Sequence, residues 1–499
     1  MKETEDNGTC VEELGDLPPD EFRRHLHAVA DWIADYREGI ASRRVSPDAE
    51  PGAVANTLPH APPEHSESLD TIIADFDRVI VPNLVHWGHP QFLGYFGSTT
   101  NAPGILGEML AAALNVSAMT WRTSPAATEL ESVVLSWLRQ MLGLPANLKG
   151  IVYDTASVAI LHALAAAREA INLDVRKNGL AGRSEVPTMR IYTSDQAHSS
   201  IEKAAIMLGI GEENVRRVES DDDFRLSVEA LRAAINKDLQ NGYRPLAVVA
   251  TVGTTSATSV DPVPEIAALC HEYDLWLHVD AAYGGALALL PEGRWAMMGV
   301  EAADSVVVNP HKWLFVPLDF SALYTKHPEL LRRTFALTPE YLRGDASAHE
   351  ENYMDYGIQL GRRFRALKAW MVFRAFGREG LIARIREHCR LARTFASWVD
   401  GENDFQLLAP VTMGVVCFQA LPNVEQEFPP AIINKFNVTL VERINRTGKA
   451  YLTRTELRGQ TVARLAIGNV LTTEEHLKEV WTLIKSEAEL LRAEDLQAL

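Results

Sequence analysis

Four short segments carry residues whose types and placement suit chemistry. The most specific is SVVVNPHKWLF, where the apolar run Ser305–Val308 leads into Asn309, Pro310, His311, Lys312 and Trp313. A lysine just past a buried strand, hemmed in by Trp313 and Leu314, loses hydration. Desolvation lowers its pKa and turns its amine into a nucleophile. The second segment, LWLHVDAAYGGA, ends an apolar strand at Asp280. A carboxylate there needs a cationic or hydrogen-bonding partner, and a protonated pyridine nitrogen is one. Ala281 and Ala282 leave space for a flat ring against the backbone. The bland alternative for Asp280 is a helix N-cap. In the third segment, RIYTSDQAHSSIEKAA, His198 follows a strand and precedes a helix, so its ring can stack on a planar group. The fourth, GIVYDTASVAILHALAAAREA, brings Ala156 and Ser157 to a helix start. Backbone N–H groups and a hydroxyl at that place suit a phosphate, and N-capping by Asp154, Thr155 or Ser157 is compatible with it.

These residues need a frame that presents strand ends. Short apolar runs at 151–153, 189–193, 246–252, 275–279, 305–308 and 320–325 alternate with helical patterns such as VAILHALAAAREA and PVPEIAALCHEY. That alternation predicts an α/β fold with a mostly parallel sheet covered by helices. Ligands of such sheets bind beyond the carboxyl ends of the strands, where all four segments lie. Upstream, residues 19–41 and 69–81 have helical spacing, separated by a connector rich in Pro, Ala and Ser. Downstream of residue 361, long helices precede a few strands and a charged final helix. The expected divisions are an N-terminal helical segment (1–89), a large domain (90–360) and a small C-terminal α+β domain (361–499).

Bulk properties narrow the classes. The chain has 499 residues, 47% hydrophobic and 23% charged, with a formal net charge of -18. Such an acidic balance argues against nucleic acid and anionic membrane as partners. The N-terminus lacks a signal-peptide core, and no apolar run is long enough to span a bilayer. Cys10, Cys270, Cys389 and Cys417 fit neither a disulfide framework nor a zinc motif, so a cytoplasmic location with reduced thiols is expected. His86 and His89, like His25 and His27, are closely spaced but have no accompanying cysteine or carboxylate set; no metal is expected.

With these motifs in place a family resemblance follows. NPHKW, HVDAAY, GTTSAT, TSPAATELE and LGRRFRALKAW occur in the order and approximate spacing of the group II pyridoxal-phosphate-dependent decarboxylases. The chain resembles the aromatic-L-amino-acid decarboxylase family from about residue 19 to the final helix. The resemblance implies the pyridoxal-phosphate-dependent transferase fold (fold type I) with a seven-stranded sheet, pyridoxal 5'-phosphate as cofactor, and a homodimer with its active site at the subunit interface. It casts Lys312 as the Schiff-base lysine, Asp280 as partner of the ring nitrogen, Ala282 under the ring and His198 on the other face. Thr255 lies near the cofactor, and Ala156, Ser157, Asn309 and His311 lie at or near its phosphate. By the same resemblance Trp87, Tyr95 and Phe96 are expected to form an aromatic substrate pocket. Tyr353, in a loop ahead of LGRR, returns a proton to the substrate carbon, with Tyr356 as a second candidate.

The implied reaction is decarboxylation of an aromatic L-amino acid to an arylalkylamine. Gly459 leaves space for an indole and leans the substrate to tryptophan; phenylalanine, tyrosine and dihydroxyphenylalanine stay open. Phenylalanine at the loop tyrosine goes with oxidative aldehyde formation in relatives, so an aromatic aldehyde synthase is the first alternative. An aminotransferase and a non-catalytic dimeric binding protein are the others. The chain departs from the family pattern at Asp154–Thr155, at Gly97–Ser98 and at Met119. A carboxylate at Asp154 suits a phosphate neighbour only if it turns away.

Overall fold

Strands that are apolar at consecutive positions form the central sheet, because both of its faces are covered. The computed structural model describes residues 15–97, 99–337 and 350–494. Its contacts divide the chain into two compact units, Met1–His89 and Pro90–Leu499. The first contains the helices Pro19–Glu38 and Leu69–Asp75. Inside this unit Trp32 stacks on Tyr36, whose hydroxyl meets His86 Nδ1 at 2.8 Å.

The second unit is built on seven strands: β1 (Lys149–Tyr153), β2 (Met189–Ser194), β3 (Val215–Val218), β4 (Arg244–Thr251), β5 (Trp276–Asp280), β6 (Ser305–Val308) and β7 (Ser321–Thr325). Their order across the sheet is β1-β7-β6-β5-β4-β2-β3. The pairs β2–β3, β2–β4, β4–β5 and β5–β6 are parallel. Strand β7 runs antiparallel to both of its neighbours, β1 and β6. Residues Tyr153, Thr251, Asp280 and Val308 therefore end their strands at one edge of the sheet, where a ligand crevice forms. Strand β3 has the sequence VRRV and escapes a reading based on apolar runs. It is an outer strand, so only part of it is buried.

The same unit carries a second, antiparallel sheet: β8 (Phe405–Leu407), β9 (Val415–Ala420), β10 (Thr453–Leu457) and β11 (Gln460–Ala466), in the order β10-β11-β9-β8. Helices Arg365–Asp400, Pro430–Thr447 and Glu474–Ala493 accompany it. The first of these breaks at Gly377, whose φ of 63° a residue with a Cβ rarely adopts. No separate unit begins at residue 361; the second sheet belongs to the same compact body as the first. Among the described residues no helix is long and apolar enough to cross a membrane, and no group of side chains is placed to hold a metal ion.

Candidate active site

A cavity of about 190 Å³ opens at the carboxyl edge of β4, β5 and β6. Lys312, Asp280, His198, Thr255, Ala282, Asn309, His311, Ala156, Ser157 and Phe96 all line it. Apart from Phe96, which lies ahead of the first strand, these positions converge because each ends or follows a strand of one sheet.

Lys312 sits in the short turn Pro310–Trp313 after β6. Burial lowers its pKa, Asp280 opposes that shift, and the Arg464 guanidinium adds to it. A larger share of the amine is therefore neutral and nucleophilic. Asp280 ends β5, and one carboxylate oxygen accepts the Ala282 N–H at 3.1 Å. His198 stands exposed at the mouth. Its Nδ1 accepts the Ser200 backbone N–H at 3.1 Å, so its neutral ring carries the proton on Nε2. Partial burial lowers its pKa, with Asp280 opposing and Lys312 assisting. His311 Nδ1 likewise accepts the Phe320 N–H at 2.9 Å, and burial holds its pKa down at about 3. Asn309 Oδ1 accepts the Ser321 hydroxyl at 2.5 Å.

Ala156 begins a 15-residue helix whose N-cap, Thr155, accepts the Val158 N–H. Backbone N–H groups at such a start favour an anion. The carboxylate of Asp154 points elsewhere: it accepts the Thr155 N–H at 2.7 Å and the Gln359 side-chain N–H at 3.1 Å. The carboxylate at this departure is thus occupied by the N-cap residue and by Gln359, and Asp154 does not line the cavity.

One wall of the cavity is an aromatic column. Phe96 stacks on Tyr283 with centroids 3.9 Å apart, and Tyr283 stacks on Trp313 at 4.7 Å. Trp313 donates its indole N–H to His388 Nδ1, and His388 Nε2 donates to the Asn469 carbonyl. Phe96 also lies 5.0 Å from Lys312 Nζ and 4.5 Å from the Arg464 guanidinium. Arg464, on β11, is 4% exposed. It donates to the carbonyls of Tyr95 (2.6 Å) and Ser256 (3.2 Å), with no carboxylate partner among the described residues. Sequence reasoning missed Arg464, Tyr283, Thr251 and Ser200. Only Arg464 had a usable signal, as a charge inside the apolar run VARLAIG.

Several expected site residues lie elsewhere. Trp87 belongs to the first unit, where it is 42% exposed. Tyr95 precedes Phe96 with a φ of 54°, a left-handed backbone that turns its ring outward, 51% exposed and against Tyr451. Gly459 is the turn glycine between β10 and β11, with a φ of 76° and open space around it. It shapes a hairpin and does not border the cavity.

Tyr353 is also removed from the chemistry. It is 2% exposed, its hydroxyl is bound to Ser132 Oγ at 2.8 Å, and its ring lies 4.7 Å from the Arg362 guanidinium. Burial raises its pKa far above the ordinary phenol value, so it holds its proton firmly. Tyr356 is buried beside it, its carbonyl accepting the Tyr153 hydroxyl at 2.6 Å. Both are anchoring side chains; residues 338–349 of the same segment lie outside the described residues.

The donor set fits an anionic, aldehyde-bearing pyridine: a buried amine with a lowered pKa to hold the aldehyde, a buried carboxylate for a ring nitrogen, and a helix start for a phosphate. That is the site of a pyridoxal-phosphate-dependent enzyme of fold type I. The chain belongs to the pyridoxal-dependent decarboxylase family, whose conserved domain matches residues 51–421. It is 38% identical to the phenylacetaldehyde synthase of a Rosa hybrid cultivar, with 95% of both chains covered. It is 37% identical to tyrosine/DOPA decarboxylase 2 of Papaver somniferum, covering 97% of this chain and 96% of that one. Among solved structures, Oryza sativa TDC with PLP and tryptamine superposes with a TM-score of 0.91 at 36% identity, covering 96% and 99% of the two chains.

Proposed function

We propose that this enzyme decarboxylates an aromatic L-amino acid to the corresponding arylalkylamine. The observation that carries this is the arrangement of Lys312, Asp280 and His198 around one cavity walled by Phe96. Its support is the family membership together with relatives named for tyrosine, DOPA and tryptamine chemistry.

The chain's own residues divide the work. Lys312 would hold the cofactor through its amine, Asp280 its ring nitrogen, and the Ala156–Ser157 helix start its phosphate. When bound, the cofactor accepts the electron pair left behind as CO2 departs, which is the hard part of the chemistry. Asp280, kept in place by the Ala282 N–H, would stabilise positive charge on the ring nitrogen of the bound group. His198, fixed by Ser200, would offer it a neutral N–H from the mouth of the cavity. Phe96 and Tyr283 give the substrate side chain an apolar face and exclude water from it.

The proton returned to the substrate carbon needs a donor that reaches the cavity. Tyr353 and Tyr356 are held away from it, which leaves Tyr341 as the remaining tyrosine of that segment. We expect Tyr341→Phe to divert product from amine toward aldehyde, and Tyr353→Phe to leave amine output unchanged. Diversion by the second variant alone would return the role to Tyr353. The aldehyde-synthase reading stays as the alternative because a phenylacetaldehyde synthase is among the relatives. Amine, aldehyde and peroxide measured over tryptophan, tyrosine, phenylalanine and dihydroxyphenylalanine separate the two; stoichiometric peroxide without amine would overturn the decarboxylase.

A homodimer is part of the same proposal. Helix Ala102–Leu114 exposes Leu106, Leu110 and Leu114, each at least half accessible and four residues apart on one face. A contiguous leucine stripe of that kind is costly in water and suits burial against a second copy. We place the enzyme in the cytoplasm, in keeping with three buried free thiols, Cys270, Cys389 and Cys417.

A further inference from the structure

Strand β4 ends at Thr251, whose register partner on β5 is Asp280. In a parallel pair, register partners present their side chains on the same face. Both line the cavity. Thr251 is 5% exposed, and its hydroxyl has no hydrogen-bond partner among the described residues. Its neighbours up the strand, Val248, Val249 and Ala250, are apolar and fully buried. Valine in this place would fill the same volume and carry no desolvated hydroxyl.

The backbone around that hydroxyl is fixed from both sides. Asp261 Oδ2 accepts the Thr251 N–H at 2.7 Å, and the Asp261 N–H donates to the Thr251 carbonyl at 2.9 Å. Asp261 Oδ1 is tied in turn to the Leu226 N–H at 2.8 Å. The backbone of the residue is thereby held at the strand end, beside Asp280. A buried donor left unmade carries its full desolvation penalty until something supplies an acceptor.

We propose that the Thr251 hydroxyl is a further cofactor-holding group, working beside Asp280 at the ring-nitrogen end of the cavity. It rests on the cofactor assignment above. Its contact adds to binding and not to the strength of the empty fold, so the two respond in opposite directions when the hydroxyl is removed.

The test uses the holoenzyme resolved to apoprotein and titrated with pyridoxal 5'-phosphate, for wild type, Thr251→Val and Thr251→Ser. Thr251→Val should weaken cofactor affinity by about tenfold, while the thermal midpoint of its apoprotein equals or exceeds that of wild type. Thr251→Ser, which keeps the hydroxyl, should bind within about twofold of wild type. Unchanged affinity in Thr251→Val overturns the proposal. So does a fall in affinity accompanied by a lower apoprotein midpoint, which marks a packing role. Failure of the wild-type apoprotein itself to take up the cofactor sinks the functional reading instead.

Discussion

Two polar regions are buried in the second unit, and they treat charge in opposite ways. Around Glu131 and Arg362 every strong group is matched. Arg362 donates to both Glu131 oxygens, at 2.6 and 3.0 Å, and to the carbonyls of Ala118 and Val152. Glu131 also accepts the Val152 N–H, and the Tyr353 ring covers the guanidinium. At the cavity, Lys312 and Arg464 share an aromatic ring with no carboxylate paired to the arginine, and the Thr251 hydroxyl is unspent. A satisfied network fixes geometry, whereas an unsatisfied one is available to a ligand. The first region holds the end of β1 and so aims the helix start at Ala156. The second is the one to which the proposed function assigns the chemistry.

The contrast is broken most directly by exchanging outcomes between the regions. Lys312→Ala should abolish covalent retention of the cofactor and lower kcat/KM by more than about a thousandfold, some 4 kcal/mol of barrier, with the fold intact by circular dichroism. Visible absorbance and activity that persist would move the attachment elsewhere. In the matched region, Glu131→Gln should cost about 3–5 kcal/mol of stability, because Arg362 is left buried and unpaired. Denaturant unfolding reads this, and a change below 1 kcal/mol would show that the pair is not structural.

Arg464→Met tests the cavity's electrostatics at smaller scale. Arg464 helps to hold the Lys312 pKa below its ordinary value. Removing the positive charge favours the protonated amine, so the neutral, reactive fraction appears at higher pH. The pH profile of cofactor capture by apoprotein should move to alkaline values and slow several-fold near neutrality; a shift in the acid direction contradicts the assigned sign. Tyr353→Phe gives the smallest effect, a loss of about 0.5–1.5 kcal/mol from one buried hydrogen bond. Measured by the same unfolding assay, a large activity loss without that stability change would recast the residue as chemical.

The same contrast explains what could be read along the chain. Lys312, Asp280, His198 and Ala156 were legible because each follows a strand at one edge of one sheet, and strand order carries their geometry. Consecutive apolar residues announced β4, β5 and β6, while VRRV at β3 did not, since an outer strand tolerates charged side chains. Tyr353 was misplaced because distance along the chain from LGRR says nothing about which way a side chain faces. Tyr95 and Gly459 lie outside the cavity for a related reason: aromatic and small residues serve surfaces and hairpin turns as readily as pockets. Arg464 left a trace as a charge inside VARLAIG, whereas Thr251 becomes visible only through the partner its hydroxyl lacks, which is a property of three dimensions.

Arg464 lies on β11, the last strand among the described residues, yet it clamps the carbonyl beside Phe96, near the start of the second unit. During synthesis, that wall of the cavity can close only after the segment carrying β11 has left the ribosome. Nascent products that stop short of β11 lack this clamp and are expected to retain vitamin B6 poorly.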